Sequence, residues 1–422
     1  GGNYADIAEY GHAREYYGKA FEFRDRASER EKLLIAGYYY LDVTGELDKA
    51  AQIYQEWVES YPRDYIAYGS LAMAESEQGL HEKALEANRE FLRLSPDNAI
   101  GYVNLGAALL ALQRIGDARQ ILQQAEARKL DELNIHMNLY AVSLLTGDAA
   151  GQAKESSWME SRPEYSSQGY SLESDTIAYR GQLRKARELT AQAVDASLRA
   201  TNKENAAMWQ ANAALREAGF GNAAQARQDA AAALKLAPQS QGAQLEAALA
   251  FALSGDMPRA ESLVKDLSAR FPLDTQVQSL WLPVIRAQLA LDQKNAAAAM
   301  SLLQTAKPME LAVITFTANG SCLYAPYVRG QAYLALGQGA LAAAEFQKSL
   351  DHSGLVWHCW TGALAHLGVA RANALESRTS LGADAAAARD RALTAYKDFL
   401  ALWKDADPDV PILKEAATEY KK

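Results

Sequence analysis

The densest concentration of metal-binding side chains in this 422-residue chain is His352, His358, Cys359 and His366. A zinc ion would need three or four of them within about 2.0–2.3 Å. His358 and Cys359 are adjacent and His366 lies two helical turns further on, so packing and helix-end roles are the reading adopted. Asp405, Asp407 and Asp409 alternate like the opening of a calcium loop. Pro408 interrupts that loop and Ala416 stands where its bidentate acid belongs, which leaves an acidic loop ahead of a terminal helix. The phosphate-loop, dinucleotide, kinase catalytic-loop, nucleophile-elbow and H-E-x-x-H patterns are all absent. The segment is therefore expected to be no enzyme and to carry no cofactor and no metal.

Elements that could position a binding surface instead emerge from a repeat. Pro62 and Pro96, Gly45 and Gly79, and Ala50, Ala84 and Ala118 all recur at a step of 34 residues. The same step returns at Gly147 and Gly181, Gly221 and Gly255, Ala226 and Ala260, and Pro238 and Pro272. Apolar residues between these marks fall at i, i+3, i+4 and i+7, as on helices packed along one face. Each small residue, including Ala186 and Ala342, is placed where two helices cross closely. Each glycine, including Gly337, is placed at the turn between paired helices, where a left-handed backbone is needed. Proline then ends the second helix. The frame stretches near Lys294 and Gly337, and Ser377–Asp390 reads as the longest insertion, ahead of a terminal helix at Ile412–Tyr420.

Composition agrees with a folded chain. Hydrophobic residues make up 49%, against 27 glycines and 11 prolines. The net charge of −9, spread without long runs, disfavours a nucleic-acid groove or an anionic membrane face. No apolar run is long enough to cross a bilayer.

Tyr102, Asn104-Leu105-Gly106, Leu109, Ala118, Leu122 and Ala125, and later Gly330, Tyr333, Gly337, Ala342 and Phe346, resemble the tetratricopeptide repeat (TPR) pattern. The resemblance covers nearly the whole chain. It implies an all-α, right-handed superhelical solenoid of about eleven helix-turn-helix pairs with a C-terminal capping helix. Residues 1–163 are read as regular repeats, 164–410 as repeats with longer insertions and 411–422 as the cap. In that family the first helix of each pair lines the concave face, which makes Tyr39, Met73, Asn104, Met137 and Asn138 the groove candidates. Chaperone-adaptor members clamp a peptide carboxylate with Lys and Arg. Ile35, Gly69, Val103 and Met137 stand at one of those positions here, so that ligand is not expected.

Phe21–Glu31, Arg270–Thr275 and Phe399–Asp407 resemble landmarks in the C-terminal TPR region of acidobacterial serine/threonine protein kinases. This resemblance, with the Gly1-Gly2 start, implies an excised sensor or regulatory segment of a membrane-anchored or cytoplasmic bacterial signalling protein. The expected partner is a protein or peptide; the alternative is a small molecule or cell-wall fragment, held among the irregular loops from Leu282 to Ala363. Cys322 and Cys359 lie 37 residues apart, close to one repeat, which places them at the starts of consecutive units. Two buried free thiols and a single disulfide are both compatible with that placement.

Overall fold

Helix starts are fixed by side chains that obey the 34-residue step. Asp64, Asn98 and Glu132 each accept a hydrogen bond from the backbone N–H two residues on, at Ile66, Ile100 and Asn134. Each thereby satisfies a donor that the first turn of a helix leaves free. In the computed structural model, which describes residues 1–5 and 8–421, these caps open three of ten helix pairs. Helix accounts for 78% of the chain, with no strand among the described residues.

Two helices, α1 (Gly2–Ala5) and α2 (Tyr10–Glu22), precede the pairs. The regular units are α3 (Glu29–Tyr38, prolonged by a π-type turn over Tyr39–Thr44) with α4 (Leu47–Ser60), α5 (Tyr65–Glu77) with α6 (His81–Leu94), and α7 (Ala99–Ala111) with α8 (Ile115–Ala127). They continue as α9 (Leu133–Leu145) with α10 (Ala149–Glu160), α11 (Ser166–Tyr179) with α12 (Leu183–Arg199), and α13 (Lys203–Gly219) with α14 (Ala223–Leu236). Next come α15 (Gln241–Leu253) with α16 (Met257–Arg270), α17 (Leu282–Asp292) with α18 (Ala296–Leu303), and α19 (Tyr324–Ala335) with α20 (Gly339–Asp351). After the single turn α21 (Ser353–Val356), α22 (Trp360–Thr379) pairs with α23 (Gly382–Leu402), and α24 (Pro411–Tyr420) closes the end.

The repeat marks do what their chemistry requires. The seven turn glycines have φ between +70° and +90°, and Lys294 takes the same left-handed role at +61°. Ala50, Ala84, Ala118, Ala186, Ala226, Ala260 and Ala342 are fully buried. Leucine in place of Ala118 or Ala342 should overfill its helix crossing and cost about 1–3 kcal/mol, read as a lower denaturant midpoint; an unchanged midpoint in both would misplace the crossings. The aromatic position has a polar task too. Tyr68 and Tyr102 donate from their hydroxyls to the carbonyls of Pro62 (3.4 Å) and Pro96 (3.0 Å), and Gln244 donates likewise to Pro238 (2.8 Å). Each bond ties a first helix to the end of the preceding second helix, so the proline that ends one unit also registers the next.

Successive turns of the superhelix touch. Thr275 N donates to Gly45 O at 2.9 Å, Val313 N to Ser76 O at 3.0 Å, and Asp407 N to Gly181 O at 3.1 Å. Trp403 Nε1 donates to Tyr179 O across 224 residues of sequence. Turns within the early pairs thus seat against the loops that follow the late ones. Asp407 also accepts from the backbone N–H of Arg184, near the start of α12, and Asp409 pairs with the Arg184 guanidinium. Asp407 and Asp409 of the alternating acids are thus seam residues.

Ser377–Asp390 is not an insertion. α22 runs through to Thr379 and α23 begins at Gly382, so all but Ser380 and Leu381 of that stretch is helical. Asp384–Ala387 looks like a linker because it is largely solvent-facing, yet alanine is the strongest helix former, and Ala388 just beyond it is fully buried. The large excursions lie elsewhere, at 304–323 and 352–359. Both enter the axis of the superhelix. Alanine-rich α13 and α15 make room there, being buried on nearly every face, and Trp281, Tyr324 and Trp360 fill the centre with ring centroids 5.2 and 6.0 Å apart.

Candidate functional site

The first helices of the early pairs turn one face to the axis because each has an apolar stripe beyond the one its own partner covers. Met73 on α5, Val103 and Asn104 on α7, and Met137 and Asn138 on α9 line this inner face. Opposite them stand the two excursions. Together they enclose a cavity of about 440 Å³, within the range of small-molecule sites. It opens to solvent beside the exposed Ala107, Asn134 and Gly320.

The inner wall is held by named bonds. Gln276 Nε2 donates to Val313 O (2.8 Å) and Glu77 O (2.9 Å). The His81 ring bonds Leu311 O through Nε2 at 2.8 Å. Asn319 donates to Asn212 Oδ1 (2.8 Å) and Asp175 Oδ2 (3.3 Å), which ties the loop to the buried Asp175–Arg216 ion pair. Cys322 and Cys359 form a disulfide with Cα atoms 5.6 Å apart. Leu323 and Trp357 both take left-hand φ values, +46° and +51°. Such residues are strained unless their surroundings hold them, and here the bend closes the gap between consecutive first helices.

Four of the five groove residues expected from sequence, Met73, Asn104, Met137 and Asn138, therefore border one cavity. Tyr39 does not: its ring stacks on Phe21 of α2, centroids 3.8 Å apart, because α2 covers the face of α3 that would otherwise be open. Asn138 also has a structural task, donating from Nδ2 to Val103 O at 3.0 Å. The histidine–cysteine cluster is dispersed. Cys359 is in the disulfide and His358 Nδ1 bonds Thr176 Oγ1 at 2.8 Å. Among the described residues no group of three His, Cys, Asp or Glu side chains is placed to hold a metal ion.

Sequence reasoning missed His81, Asn88 and Trp357. Asn88 had a signal, since it occupies a slot where the repeat usually has a large apolar residue. It is buried, donates from Nδ2 to Asn104 O at 3.3 Å, and leaves Oδ1 without a partner. His81 leaves Nδ1 likewise unpartnered. Burial, opposed by the bond to Leu311, and the nearby His352 hold the His81 ring below its ordinary pKa, so it is neutral near pH 7. Burial does the same for His358. Among the described residues, no Asp, Glu, Lys or Arg side chain lines the cavity.

No protein-family model matches the chain. Among solved structures it is similar to the APC/C hetero-tetramer Cut9–Hcn1, at 13% identity over 99% of this chain and 74% of that one, with a TM-score of 0.46. Yeast Tom70 shares 13% identity over 93% of this chain and 95% of that one (TM-score 0.39). A tetratricopeptide repeat protein from Parabacteroides merdae ATCC 43184 shares 15% over 81% and 98% (TM-score 0.28). The fold assignment rests on the helix pairs themselves.

Proposed function

We propose that this chain is a non-catalytic binding scaffold whose recognition element is the axial cavity, and that its ligand is a small molecule rather than a long peptide laid along an open groove. One observation carries this reading: the concave face is already occupied by the chain's own segments 304–323 and 352–359, which leave a ligand-sized space against α5, α7 and α9. The contacts that hold those segments would sense occupancy, because His81, Asn319 and Trp357 belong both to the cavity wall and to the bonds that fix it. A bacterial signalling protein, such as a serine/threonine kinase carrying this segment as its sensor, is the setting the sequence resemblance implies. The disulfide suits an oxidising compartment and supports placement outside the cytoplasm.

A second reading has its own support. The backbone of Leu311–Val313 is held on the concave face by His81, Ser76 and Gln276 much as a bound peptide would be, so a peptide partner could compete for that place. Titration with the neutral dye N-phenyl-1-naphthylamine separates the two. Saturable one-to-one binding is expected, weakened at least tenfold by Met137→Trp, which fills the cavity (about 1.4 kcal/mol). Equal binding to the filled variant, with its fold intact by circular dichroism, overturns the cavity reading.

A further inference from the structure

A directed chain of hydrogen bonds ends at the wall of the axial cavity. Tyr140 on α9 donates its hydroxyl to Thr176 Oγ1 on α11 at 2.7 Å, and Thr176 Oγ1 lies 2.8 Å from His358 Nδ1. The three side chains are 2%, 3% and 2% exposed, so each proton needs an acceptor within the protein. Among the described residues no other acceptor meets Thr176 Oγ1, and its single proton goes to His358 Nδ1. Burial disfavours the charged ring, which leaves one proton on the imidazole. That proton is therefore on Nε2, the far end of the chain.

His358 belongs to the excursion 352–359 and borders the cavity. No described residue bonds its Nε2, and that atom is not sealed beneath the wall as Asn88 Oδ1 and His81 Nδ1 are. Each bond in the chain polarises the next, so the terminal N–H is a stronger donor than an isolated neutral imidazole. Around it the surface is apolar, from Met73, Val103, Met137, Leu172 and Val356. With no charged side chain among the described residues of the wall, an ionic guest would lose its hydration without gaining a counter-ion.

Resting on the cavity reading above, we infer that His358 Nε2–H is the ligand-binding donor of this site, and that its guest is an uncharged molecule with an apolar body and a carbonyl-type acceptor. A ketone or an ester is the simplest form. A guest that accepts from this N–H replaces the water it displaces, whereas an isostere without an acceptor leaves the donor unsatisfied.

The test displaces N-phenyl-1-naphthylamine with three guests of matched shape: 2-acetonaphthone, 2-isopropenylnaphthalene, in which the carbonyl oxygen is replaced by CH2, and the anion 2-naphthoate. In His358→Phe, with its fold intact by circular dichroism, the ketone should lose at least about tenfold in affinity while the alkene loses none. His358→Gln, whose side-chain N–H reaches close to the position of Nε2, should retain the ketone's affinity. Ring 15N spectra of the unmodified protein should show His358 in the Nε2–H form, with that resonance moved by the ketone and not by the alkene; this reading decides alone if His358→Phe does not fold. Equal changes for ketone and alkene in the folded variant, or an Nδ1–H ring, would overturn the donor role and leave the cavity reading standing. Tightest binding by 2-naphthoate would overturn neutrality. Failure of all three guests while the dye binds would overturn this inference alone; failure of the dye as well would overturn both.

Discussion

Alanine at Gly354 or Gly242 should lower stability by about 2–3 kcal/mol, the reverse of its usual effect in a helix. Replacing a helical glycine commonly stabilises by about 0.4–1 kcal/mol, because the unfolded chain loses freedom. Here a built Cβ settles the sign. At Gly354 it would lie 1.9 Å from Leu110 O, and at Gly242 1.8 Å from Phe316 O. Both obstacles are backbone, which cannot rotate aside as a flexible side chain can. The inserted loops would have to withdraw from α7 and α15, exposing amides of 311–321 to hydrogen exchange. Gly116→Ala in α8 is the control, since nothing lies within 4 Å of its Cβ, and it should be neutral or slightly stabilising. Were Gly242→Ala and Gly354→Ala to match that control in urea midpoint and exchange, the loops would not occupy the axis.

Loss of the Cys322–Cys359 bond should cost about 4 kcal/mol. Cross-linking residues 37 apart restricts the unfolded chain, and the loop-closure relation gives roughly that figure for a ring of this size. A local consequence accompanies it. The bond joins the end of one cavity-lining excursion to the end of the other, so Cys322→Ser with Cys359→Ser should raise protease cleavage within 304–323 before the remaining pairs unfold. Thiol titration of the unfolded chain prepared without reductant should find no reactive thiol, and two after reduction. Two thiols before reduction, or an unchanged midpoint and digestion pattern in the serine variant, would remove the bond as a fastener of the cavity wall.

How much could be read in advance depends on the range of the interaction. Gly45, Gly79 and Ala118 announce their roles because each acts within its own pair, and local geometry alone demands a left-handed turn or a small side chain. The period and the helix class follow from that logic, whereas the inner-face residues Met73, Asn104, Met137 and Asn138 come from the family resemblance, in which the first helix of each pair lines the concave face. Tyr39, expected on the same ground, lies away from the cavity because α2, which lies outside the repeat, covers its face. Ser377–Asp390 failed because weak apolar patterning resembles a loop when a helix has one long solvent-facing side.

The sequence by itself determined the repeating unit, since every mark that defines it lies within about 34 residues of its partner. Only the tertiary structure decided where the axis is filled. Contacts such as Gly45 with Thr275 or His81 with Leu311 join residues more than 200 apart, set by how many pairs complete one superhelical turn. That number is a sum of small crossing rotations, each fixed by packing that no single unit encodes. The cavity between α5, α7, α9 and the two excursions exists because the chain returns upon itself at that pitch.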